Sequence, residues 1–200
     1  MKQFIRNFNK QQVVGLLNIC SLSLGVMVSI IVGLWTINEL SFDSFHKDKA
    51  QIYRPVLHAT LNGQPVKLGS TFRPLGDAAK AQLPQVSEMT RVYPNHYDLT
   101  INEVYYPQVK TFMVDENFFR FFSFPLKEGL PDKVLAAPGQ VVLSETAALQ
   151  YFGGQDVVGK NVRFGNFDFV VSGVMYDMPR NSSLQCDFVV PPSDWLRQQN

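Results

Sequence analysis

Hydrophobic and polar positions are distributed unevenly along the chain, and the unevenness is greatest in its first forty residues. Residues 11–38 include no charged residue, and 17 of the 25 residues at 13–37 are apolar. A helix of 25 residues is about 37 Å long, enough to cross a hydrocarbon core of about 30 Å. The pattern therefore predicts a transmembrane helix over residues 13–37. It disfavours a core helix, which rarely runs so long without a charge, and a cleaved signal peptide, whose apolar region is shorter.

After residue 38, short apolar runs alternate with turn residues, as is typical of a mixed domain. Asn62-Gly63 and Gly165-Asn166 each predict a hairpin, with strands at 51–61 and 64–68 and at 162–164 and 167–174. Further strands are predicted at 86–93, 97–101, 104–114, 141–143 and 188–190, and helices at 74–83, from the cap Asp115 to 122 and from the cap Ser144 to 152. We therefore predict an α+β fold, with one N-terminal transmembrane helix followed by a mixed α/β domain.

The charges of the 200 residues predict the orientation of that helix. The net charge of +1 divides into +3 over residues 1–12 and −2 over residues 39–200. Because basic flanks stay in the cytoplasm, residues 1–12 are predicted to be cytoplasmic and residues 38–200 to form one outer domain. Trp35 is then an interfacial anchor, and Phe4, Ile5 and Phe8 are the apolar side of a short amphipathic segment at the cytoplasmic interface. The low net charge excludes a strongly basic nucleic-acid surface.

Small residues recur every four positions in the predicted membrane helix, at Ser21, Gly25, Ser29 and Gly33. This spacing places them on one helical face, where small side chains let a second backbone approach closely. Gly and Ser are also common in membrane helices that make no such contact. The functional interpretation is a helix-packing face for another membrane helix.

No motif in the chain indicates catalysis, a metal or another cofactor, and we expect none of them. His46, His58 and His96 lack the spacing of metal ligands, and His46 is expected to lie in solvent near the helix exit. Residues 154–160 match the phosphate-binding pattern G-x-x-x-x-G-K, but Asn161 replaces the required Ser or Thr. A helix also precedes this loop where a strand is needed, so a helix C-cap and a turn are predicted instead.

An aromatic run is the remaining unusual feature of the outer domain. It consists of Phe118, Phe119, Phe121, Phe122 and Phe124. Four phenylalanines in five positions cover more than one face of a helix, so most of them are predicted to enter the core. The functional alternative is an exposed apolar patch for a partner or an amphiphilic substrate.

Two ordered sets of residues resemble a known family. The first set runs from Gly25 through the segment Glu39-Leu-Ser-Phe-Asp-Ser-Phe-His46 to Ile52-Tyr-Arg54. It resembles the first membrane helix and its exit in MacB/FtsX-type ABC-transporter permeases, especially those of Bacteroidetes. The second resembles the MacB-type periplasmic core domain and comprises Asp115-Glu-Asn-Phe-Phe119, Leu126, Gly129, Val142-Leu-Ser-Glu145, Ala147, Tyr151-Phe-Gly153, Gly159-Lys160, Val171-Ser-Gly-Val174, Asp177, Pro179, Asn181 and Ser182.

The resemblance implies a function as well as a fold. In that family one membrane helix precedes a large periplasmic domain, three more helices follow, and a cytoplasmic ABC ATPase hydrolyses ATP. The chain is then expected to be a non-enzymatic permease subunit in the inner membrane, or an N-terminal fragment with an incomplete periplasmic domain. Its partners are expected to be the ATPase, a second permease protomer and the lipid membrane, and its role export or efflux by mechanotransmission. The alternative is a signal-anchored periplasmic binding or adaptor module without a transport role.

Overall fold

The computed structural model describes residues 2–154 and 156–192, with side chains from residue 13 onward. The chain divides into two compact units, Met1–Ser44 and Phe45–Asn200. The first unit is built on the helix α1, Lys2–Leu40, which is about 58 Å long at 1.5 Å per residue. The predicted cytoplasmic segment is therefore helical from Lys2 onward. The side chains of Phe4, Ile5 and Phe8 lie outside the described residues.

Within the described residues, α1 is the one helix long and apolar enough to cross a membrane. Its candidate span is Val13–Leu40. The most apolar 18-residue window of that span has a mean hydropathy of 2.2, and none of the window is buried. Two hydroxyl groups of the span bond within the helix, since Ser29 Oγ donates to the Gly25 carbonyl oxygen and Thr36 Oγ1 to that of Val32, each at 2.8 Å. Such internal bonds suit a helix surrounded by hydrocarbon, where water cannot satisfy polar groups.

The described part of the second unit contains two sheets and three short helices. Its strands are β1 Leu57–Leu61, β2 Gln64–Leu68, β3 Val92–Ile101, β4 Val104–Val114, β5 Leu126–Glu128, β6 Gln140–Ser144, β7 Asn161–Phe164, β8 Phe167–Met175 and β9 Phe188–Val190. Its helices are α2 Pro74–Gln82, α3 Phe118–Phe121 and α4 Glu145–Phe152, with a 3-10 turn at Lys49–Gln51. An apolar helix followed by a sheet-rich domain confirms the predicted fold class.

The larger sheet closes on itself. Its order is β5-β8-β6-β9-β4-β3-β7, and β7 also pairs with β8. The strands β8, β6, β9, β4, β3 and β7 therefore form a ring, and β5 extends from β8. The hairpin β1–β2 is a separate two-stranded sheet.

Two hydrophobic clusters lie on opposite faces of the ring, because neighbouring residues of a strand point to opposite sides. In β6, Val141 and Leu143 belong to the first cluster and Val142 to the second. The first cluster also contains Phe164, Phe169 and Phe188. The second contains Phe118, Phe119, Phe124 and Met175, which places most of the phenylalanine run in the core as predicted.

The turn and cap predictions around α4 are confirmed. Ser144 Oγ accepts a hydrogen bond from the Ala147 backbone N–H at 3.1 Å, which caps the helix N-terminus. Gly153 ends α4 in the left-handed conformation, with φ of 75°, a geometry that glycine adopts without steric cost. The loop that matches the phosphate-binding pattern therefore follows a helix and precedes the strand β7.

Three predicted elements were wrong. The strand predicted at 51–61 is restricted to β1, Leu57–Leu61, because Gln51 ends the 3-10 turn and residues 52–56 form no regular element. Residues 86–91 are not a strand, and β3 instead runs unbroken through Pro94, beside β4. Pro94 is tolerated because β7 pairs with β3 only at Leu99 and Thr100, so β3 has a free edge at Pro94. The helix predicted from Asp115 to 122 is a single turn, and Asp115 does not cap it: its N-cap residue is Asn117, which makes no side-chain cap bond.

Candidate functional site at the α3 turn

The single turn α3 is anchored in the second cluster by its aromatic side chains. Phe118 and Phe119 are 0% and 4% exposed, and their ring centroids lie 5.2 Å apart in an edge-to-face arrangement. Phe124, just beyond the turn, stacks on Phe118 at 5.7 Å. Burying an aromatic side chain contributes about 2–3 kcal/mol, so α3 is a fixed point on the sheet to which other segments attach.

The first attachment is the segment that follows the membrane helix. The Lys47 backbone N–H donates to Ser123 Oγ at 3.0 Å, and the Ser123 backbone N–H donates to His46 Nδ1 at 3.3 Å. The His46 ring lies 5.2 Å from both Phe122 and Phe124 and is 5% exposed. We call these two reciprocal hydrogen bonds and the packed ring the clasp.

The second attachment is the segment that leads into β3. Asn117 Nδ2 donates to Glu88 Oε1 at 3.1 Å and to the Met89 carbonyl oxygen at 2.9 Å. Arg120 forms an ion pair with Glu88. The hydrogen bond from Asn117 and then that from Arg120 lower the pKa of Glu88, so its carboxylate stays ionised near neutral pH.

Hydrogen bonds between Arg91 and Asp115 connect the start of β3 to the end of β4. Arg91 donates to Asp115 Oδ2 from its backbone N–H at 2.8 Å and from Nε at 2.9 Å, and the Asp115 backbone N–H donates to the Arg91 carbonyl oxygen at 3.3 Å. The hydrogen bond to Asp115 raises the pKa of Arg91 further. Asp115 thus holds the chain before β3, which is why it is not available as a helix cap.

Both ends of one excursion of the chain are therefore held at α3. The excursion contains the 3-10 turn, β1, β2 and α2, and we call residues 49–83 the lobe. It departs after Lys47, which is held in the clasp, and returns at Glu88, which is held at α3. Among the described residues the site contains no catalytic constellation, and those residues contain no cluster of possible metal ligands.

The predicted helix-packing residues all lie on α1, where Ser21, Gly25 and Ser29 are exposed and Gly33 is partly exposed. A Cβ atom placed on Gly25 or Gly33 would meet no atom within 4 Å, so the small-residue face is open. Trp35 is 63% exposed, and its interfacial role stays a prediction. Sequence reasoning missed His46 and Ser123, and the expectation that His46 lies in solvent is wrong because its ring packs among phenylalanines. The signal that could have identified it was its place in the family-like segment, next to Phe45.

The fold defines a class of protein in which one apolar helix is followed by a mixed α/β domain. Within that domain, the segments on either side of the lobe are bonded to the residues at the α3 turn. The family model of the MacB-like periplasmic core domain matches residues 16–200. The chain belongs to this family, whose members are components of ABC-transporter permeases. Comparison with curated proteins gives no match.

Solved structures show the same fold. A domain from a protein assigned as a permease in Porphyromonas gingivalis is 24% identical, with a TM-score of 0.57, and the match covers 66% of this chain and 58% of that one. The periplasmic region of MacB from Actinobacillus actinomycetemcomitans is 22% identical, with a TM-score of 0.50, covering 62% and 56%. The extracellular domain of the noncanonic ABC-type transporter YknZ from Gram-positive bacteria is 14% identical, with a TM-score of 0.52, covering 68% and 71%.

The chain thus spans a little over half the length of the first two solved domains. The structural matches and the family match together confirm the resemblance inferred from the ordered motifs. They confirm the fold of the second unit, and the activity and partners of the chain are taken up below as proposals.

Proposed function

We propose that the chain is a permease subunit of an ABC transporter, or the N-terminal part of one, which couples a cytoplasmic ATPase to a periplasmic domain for export or efflux. One observation carries the proposal. The family match begins at residue 16, inside the apolar helix, and continues through the whole outer domain. The helix and the domain therefore match as one unit of that family, whereas a signal anchor fused to an unrelated module would match only over the module.

The proposed topology places residues 1–12 in the cytoplasm and residues 39–200 in the periplasm, with α1 crossing the inner membrane. The three basic residues before the span, Lys2, Arg6 and Lys10, support this orientation, since no acidic residue offsets them. The exposed apolar side chains of Val13–Leu40 support insertion in lipid, because such a surface is not stable in water.

The proposed role of the α3 turn is mechanical. ATP binding and hydrolysis on the partner ATPase shift the membrane helices of the permease, and the shift reaches the second unit where the chain enters it, at Phe45. The clasp then transfers the shift to α3 and the sheet. This step requires two arrangements of the packed elements that differ in free energy with the state of the nucleotide.

The topology is tested by thiol labelling of the full-length protein in intact cells. Ser70, which is exposed in the lobe, is replaced as Ser70→Cys, and the matched variant Asn7→Cys lies before the span. A membrane-impermeant maleimide is expected to label the Ser70→Cys variant in intact cells and the Asn7→Cys variant only after lysis. The reverse pattern would overturn the topology.

The coupling is tested by purifying the full-length protein with its partners. We expect a P-loop ATPase to co-purify, and its ATPase activity to change on reconstitution with the permease. The clasp variant Ser123→Ala is expected to weaken that change, while the exposed-strand variant His58→Ala leaves it intact. Absence of any ATPase from the complex, with correct topology, would instead favour an anchored binding or adaptor module.

A further inference from the structure

Charge is divided between the lobe and the rest of the second unit. The lobe, residues 49–83, contains five basic side chains and one acidic side chain, a net charge of +4. Residues 84–192 contain eight basic and twelve acidic side chains, a net charge of −4. The small net charge of the outer domain therefore conceals a basic lobe on an acidic body.

The basic side chains of the lobe face solvent. They are Lys49, Arg54, Lys67, Arg73 and Lys80, and all five are exposed. Within the described residues none of them forms a salt bridge, and the single acid of the lobe, Asp77, is paired with Arg91 of the body at 3.2 Å. Arg73 lies 5.8 Å from the centroid of the Tyr93 ring, and Lys80 helps to lower the pKa of Glu88, so the positive charge of the lobe is only partly offset by the body.

Large apolar side chains are exposed on the same lobe. Tyr53 is 83% and Phe72 is 69% exposed, and Leu61 at the hairpin tip is 55% exposed. Arg54 donates from Nε and Nη2 to the Gly69 carbonyl oxygen at 3.2 and 2.8 Å, which holds the segment around Tyr53 against the segment that precedes Phe72. A Cβ atom on Gly69 would lie 2.7 Å from Arg54 Nη2, so a larger residue there would displace the end of the Arg54 side chain.

Among the described residues, the hairpin of the lobe pairs with no further strand. An isolated two-stranded hairpin is at best marginally stable in water, and it gains stability when one face is covered. Its apolar face, formed by Leu57, Ala59, Val66 and Leu68, is partly exposed. The lobe therefore combines exposed positive charge with exposed aromatic and apolar side chains.

We propose that the lobe binds anionic phospholipid headgroups of the membrane that α1 spans, an inference that rests on the membrane insertion proposed above. Lys and Arg attract such headgroups, and Tyr and Phe insert at the level of the glycerol and upper acyl region. Only eight residues separate Leu40 from Lys49, at most about 32 Å of extended chain, so the lobe is tethered near the bilayer at a high effective concentration. The acidic body of a second copy is the competing occupant. It has the same sign of charge as the lipid but offers no comparable apolar layer for the exposed aromatic rings.

The experiment uses the full chain in nanodiscs of pure phosphatidylcholine and in nanodiscs that contain phosphatidylglycerol. Amide hydrogen exchange is measured by mass spectrometry over residues 49–83. We expect slower exchange over β1 and β2 in the anionic discs than in the neutral discs. High salt should abolish the difference, because it screens interactions between exposed charges.

The matched variants each remove two positive charges. Lys49→Gln with Lys67→Gln is expected to weaken lobe binding about 25-fold, at about fivefold per basic residue near an anionic surface, and so to abolish the difference. Lys133→Gln with Arg180→Gln removes two exposed charges from the body and is expected to preserve it. Equal exchange in both kinds of disc, or equal loss in both double variants, would overturn the lipid proposal.

Two further outcomes separate the competing explanations. Protection that appears only in discs loaded with two copies would assign the lobe to the acidic body of a second copy and would overturn lipid binding. A chain that does not enter the neutral discs at all would refute the membrane insertion on which the proposal rests. A chain that enters them but shows no lipid-dependent protection would refute only the lipid inference.

Discussion

At the scale of single residues, the Asp177 carboxylate connects the end of β8 with the N-terminus of α4. It accepts hydrogen bonds from the Thr146 backbone N–H at 3.0 Å and from the Thr146 hydroxyl at 2.5 Å. Partial burial raises the pKa of Asp177, but the hydrogen bonds from Thr146 and Ser144 outweigh it and lower the pKa below the ordinary value of 3.8. The positive end of the helix dipole also favours the ionised form.

This geometry predicts an acid-dependent loss of stability. Because the pKa of Asp177 is lower in the folded state, its stabilisation is complete above pH 3.8 and is lost as the pH falls through the folded pKa. We expect Asp177→Asn to lower the thermal midpoint at neutral pH and to reduce its dependence on pH below 3.8, as measured by near-UV circular dichroism in detergent. Asp156→Asn is the control, since the Asp156 carboxylate makes no hydrogen bond among the described residues. Equal acid profiles for wild type and Asp177→Asn would contradict the assignment.

At the scale of elements, the clasp explains how the segment after α1 is held by the sheet. Ser123→Ala removes the acceptor of the Lys47 backbone N–H and is expected to cost about 1 kcal/mol. His46→Ala removes a buried ring together with an acceptor and is expected to cost about 2–3 kcal/mol. His58→Ala, on an exposed position of β1, is expected to change stability by less than about 0.5 kcal/mol.

The clasp prediction is measured with a thiol that the fold already buries. Cys186 is 6% exposed, and burial raises the pKa of its thiol strongly, so it reacts only when the second unit opens. Labelling of Cys186 as a function of urea then gives the free energy of unfolding for each variant. Because the two clasp residues share one set of bonds, the double variant is expected to cost less than the sum of the single variants. Strict additivity would show that the clasp is not one unit.

Local signals predicted the elements that depend on local chemistry. The caps at Ser144 and Gly153 and the Asn62-Gly63 turn were predicted because each depends on one or two residues with special backbone or side-chain properties. The strand predicted at 86–93 failed because Glu88 bonds to Asn117 at the α3 turn, and the Arg91 backbone N–H bonds to the Asp115 side chain rather than to a neighbouring strand. The burial of His46 was not predictable from spacing, since its pocket is formed by residues more than seventy positions away.

At the scale of the whole molecule, average properties hide the organisation that matters. The mean hydropathy of −0.04 combines a 28-residue span, whose most apolar 18-residue window has a mean hydropathy of 2.2, with a more polar outer domain. The net charge of +1 combines a basic flank before the span, a basic lobe and an acidic body. The parts of the chain therefore suit different environments, and neither the mean hydropathy nor the net charge of the whole chain describes any one of them.

The open face of α1 gives the prediction that concerns assembly. Replacing Gly25 and Gly33 as Gly25→Leu with Gly33→Leu fills the small-residue face, where no atom now lies within 4 Å of either Cβ position. If this face packs against a second protomer, loss of close backbone approach is expected to weaken association about tenfold, or about 1.4 kcal/mol. Energy transfer between labelled copies in nanodiscs measures the dimer fraction.

The matched control lies on the opposite side of the same helix. Cys20 is about 140° from both Gly25 and Gly33 at 100° per residue, so Cys20→Leu enlarges a small residue away from the face and is expected to leave association unchanged. Weakening by both substitutions would indicate a general effect of bulk on the helix rather than a defined interface. If neither substitution alters association, the small residues reflect only the ordinary composition of membrane helices, and contacts between protomers must be sought in the outer domain.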